Sequence, residues 1–247
     1  MTSEESRSEP AGAGTRTIAV RRAAVITLAT VSVWIVVGLW VDAQVGELGQ
    51  TLLGILTAAV LAGLLTLQPA AVRWQTLGVV VIATVGEVVG SLIWGLYEYR
   101  LENLPAFVPP GHGLVYLAGI SLATMCGART VLAIAAVAAA AWGLGGLTVL
   151  PTTDVAGAIG CAFLVAVLLW TRRPVYAGVF LVVAALELYG TALGTWTWAS
   201  TVPGLELAQG NPPSGVASGY VTFDVVVLWL AVRLRPFSRG LAAPATP

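Results

Sequence analysis

The chain has 247 residues, 57% of them hydrophobic and only 10% charged, with a mean hydropathy of +0.88 and a formal net charge of zero. Soluble domains carry roughly 25% charged residues, so this composition excludes an ordinary soluble protein and predicts an all-α, polytopic transmembrane helical bundle. With no basic excess and no nucleic-acid motif, it also excludes a nucleic-acid partner.

Residues 1–17, MTSEESRSEPAGAGTRT, are polar and low in complexity, and are expected to form a disordered cytoplasmic tail. Apolar runs close to the ~20 residues that a helix needs to cross ~30 Å of hydrocarbon follow. They fall at about 23–41, 49–67, 76–97, 112–126, 131–150, 155–170, 175–198 and 214–233, within a transmembrane domain of 18–235; the fourth and sixth are short. Residues 236–247 form a second tail. The first run is longer than the 7–15 residues of a signal-peptide core, so it is read as a helix in spite of a weak cleavage-like Val41-Asp42-Ala43.

All twelve basic residues are arginine. With the N-terminus inside, every one except Arg100 falls on the cytoplasmic side, as the positive-inside rule requires. Asp42, Glu47, Glu102, Asp154 and Glu206 then occupy outer loops. The expected location is the cell membrane, with the lipid bilayer as partner and both termini cytoplasmic. Cys126 and Cys161 lack CxxC spacing and read as small packing residues.

One order of residue types occurs twice. Glu87-x-x-Gly90 recurs as Glu187-x-x-Gly190, displaced by 100 positions, and each pair precedes an aromatic helix end, Trp94/Tyr97/Tyr99 or Trp196/Trp198. Pro109-Pro110 precedes Tyr116 as Pro212-Pro213 precedes Tyr220. This predicts a 4+4 repeat with two halves of the same orientation, although helices 1 and 2 show no clear match to helices 5 and 6. The pairs Gly86/Gly90, Gly190/Gly194 and Gly215/Gly219 have the small-xxx-small spacing of close helix packing.

Glu87 and Glu187 each lie about ten residues from the outer end of their expected helix, or ~15 Å deep, and Asp224 lies similarly deep, one turn beyond Tyr220. A carboxyl at that depth costs ~2.5–3.5 kcal/mol and is a functional candidate. No arginine stands at any helix centre, which leaves them protonated, hydrogen-bonded to one another, or bound to a metal. His112, the only histidine, is expected at the outer mouth of helix 4, as a proton shuttle or a cap. Trp94, Tyr97, Tyr116, Trp196, Trp198 and Tyr220 are the candidate substrate-binding aromatics, and the interfacial ones also fit an aromatic belt.

The P-loop, HExxH and GxSxG motifs are absent, and one histidine cannot supply a di-iron histidine cluster. What remains is acid/base chemistry without a cofactor: a neutral carboxylic acid can protonate an alkene, and a carboxylate can take a proton from the resulting cation beside aromatic faces. Glu187-x-x-Gly190-x-x-x-Gly194, followed by Trp196-x-Trp198 and Pro212-Pro213, resembles the motif order of the membrane carotenoid hydratase and cyclase-like family. That resemblance implies a polyisoprenoid substrate and covers helices 3, 4, 7 and 8, with Trp94 where the first half would carry its second glycine. VPPGHG (108–113) also resembles a segment of actinobacterial polytopic membrane proteins, a likeness that implies no activity. Three functions fit: an enzyme acting on a polyisoprenoid or other lipid, with Glu87 and Glu187 as acid/base pair, Asp224 in support and His112 at the entrance; a proton-coupled small-molecule carrier using the same carboxylates; or a non-catalytic scaffold or assembly protein.

Overall fold

The computed structural model describes residues 12–149, 151–223, 225–227 and 229. These form helices α1 (Gly12–Asp42), α2 (Glu47–Thr66), α3 (Ala70–Glu87), α4 (Val108–Cys126), α5 (Ala128–Thr148), α6 (Val155–Thr171), α7 (Pro174–Leu193) and α8 (Ala217–Val227). A π-helical turn, Val88–Ile93, prolongs α3. Strand β1 (Tyr97–Tyr99) pairs antiparallel with β2 (Trp196–Trp198), and β3 (Thr201–Val202) with β4 (Leu207–Ala208).

Five helical stretches are long and apolar enough to cross a membrane: Thr17–Asp42, Glu47–Thr66, Ala70–Ile93, Ala128–Thr148 and Pro174–Leu193. They leave Val33, Ile55, Val81, Val137 and Leu188 exposed, a surface that hydrocarbon tolerates and water does not. Exposed Trp74 and Trp170 lie near one set of helix ends, and Trp40 and Trp94 near the other, as interfacial tryptophans do.

α4 is the central helix, packed by α1, α2, α3, α5 and α7. Protein rather than lipid covers it, so it tolerates Pro109, Pro110, Gly111, His112 and Gly113 in its first turns. That is why the fourth apolar run is short. α4 and α7 come closest at two glycines: a Cβ on Gly178 would stand 2.1 Å from the carbonyl oxygen of Gly119, so neither position has room for a side chain.

The links α1–α2, α3–α4 and α5–α6 and the segment after α7 are tied together at one end. Arg100 donates to the carbonyls of Asp42 and Val45, Gln50 to Asp42 Oδ1 at 2.7 Å, and Asn103 to Gln50 Oε1 at 3.0 Å. Asp154, fully buried, accepts from the backbone of Gly157, Gly210 and Ser214 and from the Ser214 hydroxyl at 2.6–3.0 Å. Arg73, Arg129, Arg172 and Arg173 occur at the opposite helix ends, so charge is segregated along the bundle.

Several expected boundaries are corrected. α1 begins at Gly12, so residues 12–17 are helical rather than tail. The runs expected at 76–97 and 175–198 end at Ile93 and Leu193, because Gly95 (φ +75°) and Gly194 (φ +70°) adopt the left-handed conformation that glycine takes without strain. The chain then turns back as strands. Residues 1–11, the last part of the eighth run and the tail 236–247 lie outside the described residues.

Candidate functional site

The site is built where α3 and α7 stop. Beyond Gly95, Tyr97-Glu98-Tyr99 runs as β1, and beyond Gly194, Trp196-Thr197-Trp198 runs as β2. Alternate residues of a strand share a face, so each strand sends two aromatic rings to one side. The antiparallel register sets Tyr97 opposite Trp198 and Tyr99 opposite Trp196 about a centre at Glu98 and Thr197. Facing rings touch across the pair, Tyr97 and Trp198 with centroids 4.5 Å apart.

Each strand covers the carboxylate of its own helix. Tyr97 and Tyr99 donate their hydroxyls to Glu87 Oε2 at 2.5 and 2.7 Å. Trp196 and Trp198 donate their indole N–H groups to Glu187 Oε2 at 2.8 and 3.2 Å. The glycines three residues on make room for the returning rings: a Cβ on Gly190 would lie 2.1 Å from the Trp196 ring, and one on Gly90 would lie 3.3 Å from Tyr97. Gly86 accommodates Phe223 of α8, and Gly194 serves the turn. The glycine pairs of α3 and α7 are therefore used for rings and turns, whereas Gly215 does meet α6 backbone at Gly157 and Gly160.

Two further side chains complete the arrangement. His112, in the second turn of α4, places Nε2 2.9 Å from Glu87 Oε1. Tyr220 of α8 brings its phenol to the same cavity, and its ring lies 5.1 Å from that of His112. Glu87 and Glu187 are thus buried, at 5% and 3% exposure, and each is surrounded by side-chain donors. No hydrogen bond joins the two carboxyl groups to each other; each is held by its own donors. Aromatic and imidazole donors replace the hydration that burial removes. Burial and the adjacent Glu87 carboxylate push the Tyr97 and Tyr99 phenols well above the ordinary tyrosine range, so both remain donors.

Both carboxylates line one cavity of about 100 Å³. Its wall combines Glu87, His112, Glu187 and the rings of Tyr97, Tyr99, Trp196, Trp198 and Tyr220 with apolar side chains of α1, α2, α4 and α7, among them Ile35, Leu39, Leu53, Leu114 and Leu186. Among the described residues no group of three His, Cys, Asp or Glu side chains could hold a metal ion.

Of the candidates read from the sequence, the cavity brings together Glu87, Glu187, His112, Tyr97, Trp196, Trp198 and Tyr220. His112 is buried at 4% exposure rather than at an open mouth. Trp94 stays outside, half-exposed, with its indole N–H on the carbonyl of Pro203 at 3.0 Å. Tyr116 is buried one turn further along α4, its hydroxyl 3.4 Å from Gln75 Oε1, and it does not line the cavity. Asp224 lies outside the described residues. Tyr99, not among the candidate binding residues, holds Glu87 equally with Tyr97; the period-two pattern Tyr-Glu-Tyr was its signal. Compared with family models, with curated proteins and with solved structures, the chain has no match in any of the three.

Proposed function

We propose that the chain is a multi-pass protein of the cell membrane, built as a 4+4 repeat with both termini cytoplasmic, and that it is a cofactor-independent acid/base enzyme acting on a polyisoprenoid or other lipid. One observation carries the reading: two buried carboxyl groups, each held only by donors, share an apolar, ring-lined cavity. The arginine-bearing helix ends favour the cytoplasmic face, which puts the cavity toward the outer one. The paired strands and their glycines support a duplication, since each half supplies one carboxylate and the two aromatic donors that cover it.

In the mechanism, one carboxylic acid protonates a carbon of a double bond. The cation forms among aromatic faces that attract positive charge, and the other carboxylate removes a proton from the neighbouring carbon. The net change is migration of the double bond, with no redox step. The donors give the two groups different parts. Both oxygens of Glu87 face donors, the two phenol hydroxyls on Oε2 and His112 on Oε1, so Glu87 suits the base. The two indoles both donate to Oε2 of Glu187, and with its other oxygen to carry the proton Glu187 suits the acid.

The test compares lipid and pigment extracts, by mass spectrometry, from a deletion strain and from the same strain carrying the intact protein or the Glu87→Gln, Glu187→Gln double variant. One lipid species accumulating in the deletion and in the variant, and not with the intact protein, is expected. Three identical extracts with equal protein levels contradict the reading.

A further inference from the structure

The charge of the cavity does not balance. Its wall carries two carboxyl groups, Glu87 and Glu187, and one group able to become cationic, His112, whose Nε2 is 2.9 Å from Glu87 Oε1. Arg100, just beyond β1, donates to the carbonyls of Asp42 and Val45 and does not line the cavity. Among the described residues Glu87 therefore has a charge partner and Glu187 has none. The oxygens of Glu187 are also used unequally: Oε2 accepts both indole N–H groups, and no hydrogen bond from a described residue reaches Oε1. Packing seals off four buried side-chain atoms that lack a partner, Asp42 Oδ2, Arg100 Nε, Asn103 Oδ1 and His112 Nδ1. Oε1 is not one of them, so it opens on the cavity that Glu187 lines.

The aromatic lining suits the charge that is missing. The hydroxyls of Tyr97 and Tyr99 and the indole N–H groups of Trp196 and Trp198 are aimed at the carboxyls, so what those rings leave for a ligand is π surface, which attracts a cation. A hard metal ion takes about six to eight oxygen ligands, and this wall is mostly apolar. An organic cation needs one acceptor, ring surface and room for an apolar body. A hydroxyl would satisfy Oε1 and leave the charge unanswered.

We infer that this cavity binds a lipophilic amine as its ammonium ion, with an N–H donated to Glu187 Oε1 and the apolar body against the side chains of α1, α2 and α4. The inference rests on the reading of the cavity as a lipid site with Glu187 as its acid, and it adds a class of ligand that the acid/base reaction does not require. The amine enters from the bilayer uncharged, because an ion is costly to move through hydrocarbon. Its nitrogen lone pair takes the proton from Oε1, the O–H bond breaks as the N–H bond forms, and the new ammonium donates back to the carboxylate. One proton has moved from oxygen to nitrogen, with nothing oxidised or reduced. The ammonium then stands where the proposed reaction places its cation, so such an amine competes with the lipid substrate.

The test uses the purified full-length protein in phosphatidylcholine nanodiscs and two probes of one carbon skeleton, geranylamine and geraniol, with binding followed by tryptophan emission against empty nanodiscs. The intact protein is expected to bind geranylamine about tenfold or more tighter than geraniol, since the amine adds a charge-assisted hydrogen bond and attraction to the rings. Glu187→Gln has neither the proton to give nor the charge to pair, so the two probes should bind it alike. Equal binding by the intact protein, or tighter binding of geraniol, overturns the ammonium site and leaves the lipid-site reading standing. An undiminished preference for the amine in Glu187→Gln also overturns it. Binding of neither probe to folded protein overturns both this inference and the lipid-site reading. The comparison of the two probes on the intact protein needs no variant, so it remains decisive if the substitution prevents folding.

Discussion

Substituting alanine for the glycine of each Glu-x-x-Gly pair should have unequal effects, because the space above the two glycines differs. A Cβ on Gly190 would approach Trp196 ring atoms at 2.1, 2.3 and 2.8 Å. Ordinary carbon contacts are about 3.5–4.0 Å, so the ring has to retreat by about 1.5 Å. The Trp196–Glu187 hydrogen bond is 2.8 Å long, and a retreat of that size stretches it beyond bonding distance. Losing a bond to a charged group costs about 1.5–3 kcal/mol, overpacking adds about 1–3 kcal/mol, and the better helix propensity of alanine returns up to about 1 kcal/mol. The net loss is about 1.5–6 kcal/mol. For Gly90→Ala the nearest approach is 3.3 Å, a few tenths of an ångström of adjustment, and the net effect should stay within about 1 kcal/mol. Thermal unfolding of the purified proteins in one detergent separates the two cases. Gly190→Ala should melt roughly 3–24 °C lower than the parent, with altered tryptophan emission, and Gly90→Ala within a few degrees of it. Equal melting of the two variants would refute the argument that ring clearance governs these positions.

Gly178→Ala forces a methyl group into the Gly119 carbonyl at the α4–α7 crossing, and should leave little folded protein in the membrane fraction by detergent-solubilised size-exclusion chromatography. Glu187→Ala leaves two indole N–H groups unpaired in a buried site and should lower stability by about 2–5 kcal/mol. Glu187→Gln keeps an acceptor oxygen and should melt close to the parent, yet lose activity. Asp154→Asn replaces a four-bond acceptor by a single carbonyl oxygen, so the 210–214 segment should loosen, which limited proteolysis reports as faster cleavage between 203 and 214.

Much of the bundle was legible because lipid-facing helices must be apolar along their whole length: five of the runs are helices long enough to span. α4 escaped that rule, since the chain itself encloses it and its first turns can hold His112 between glycines. The repeated Glu-x-x-Gly marks both carboxylates, but the aromatics that follow have the look of helix ends in the sequence. Tyr-x-Tyr and Trp-x-Trp have the period of a strand, and a glycine stands two residues before each pair. Those signals are short, and an apolar run on either side masks them. The pairing of His112 with Glu87, 25 residues apart, depends on how α3 and α4 pack, as does the contribution of α1 and α2 to the cavity wall. No periodicity along the chain encodes either.

The central claim is that a carboxyl of this cavity delivers a proton to carbon, and isotope transfer tests it most directly. The purified full-length protein is incubated in D2O with the lipid extract of the deletion strain, and the consumed and formed species are compared by mass spectrometry. The account predicts a product carrying one deuterium on carbon, formed by the intact protein and not by Glu187→Gln. A product formed without deuterium, or formed equally well by the Glu87→Gln, Glu187→Gln double variant, would contradict it.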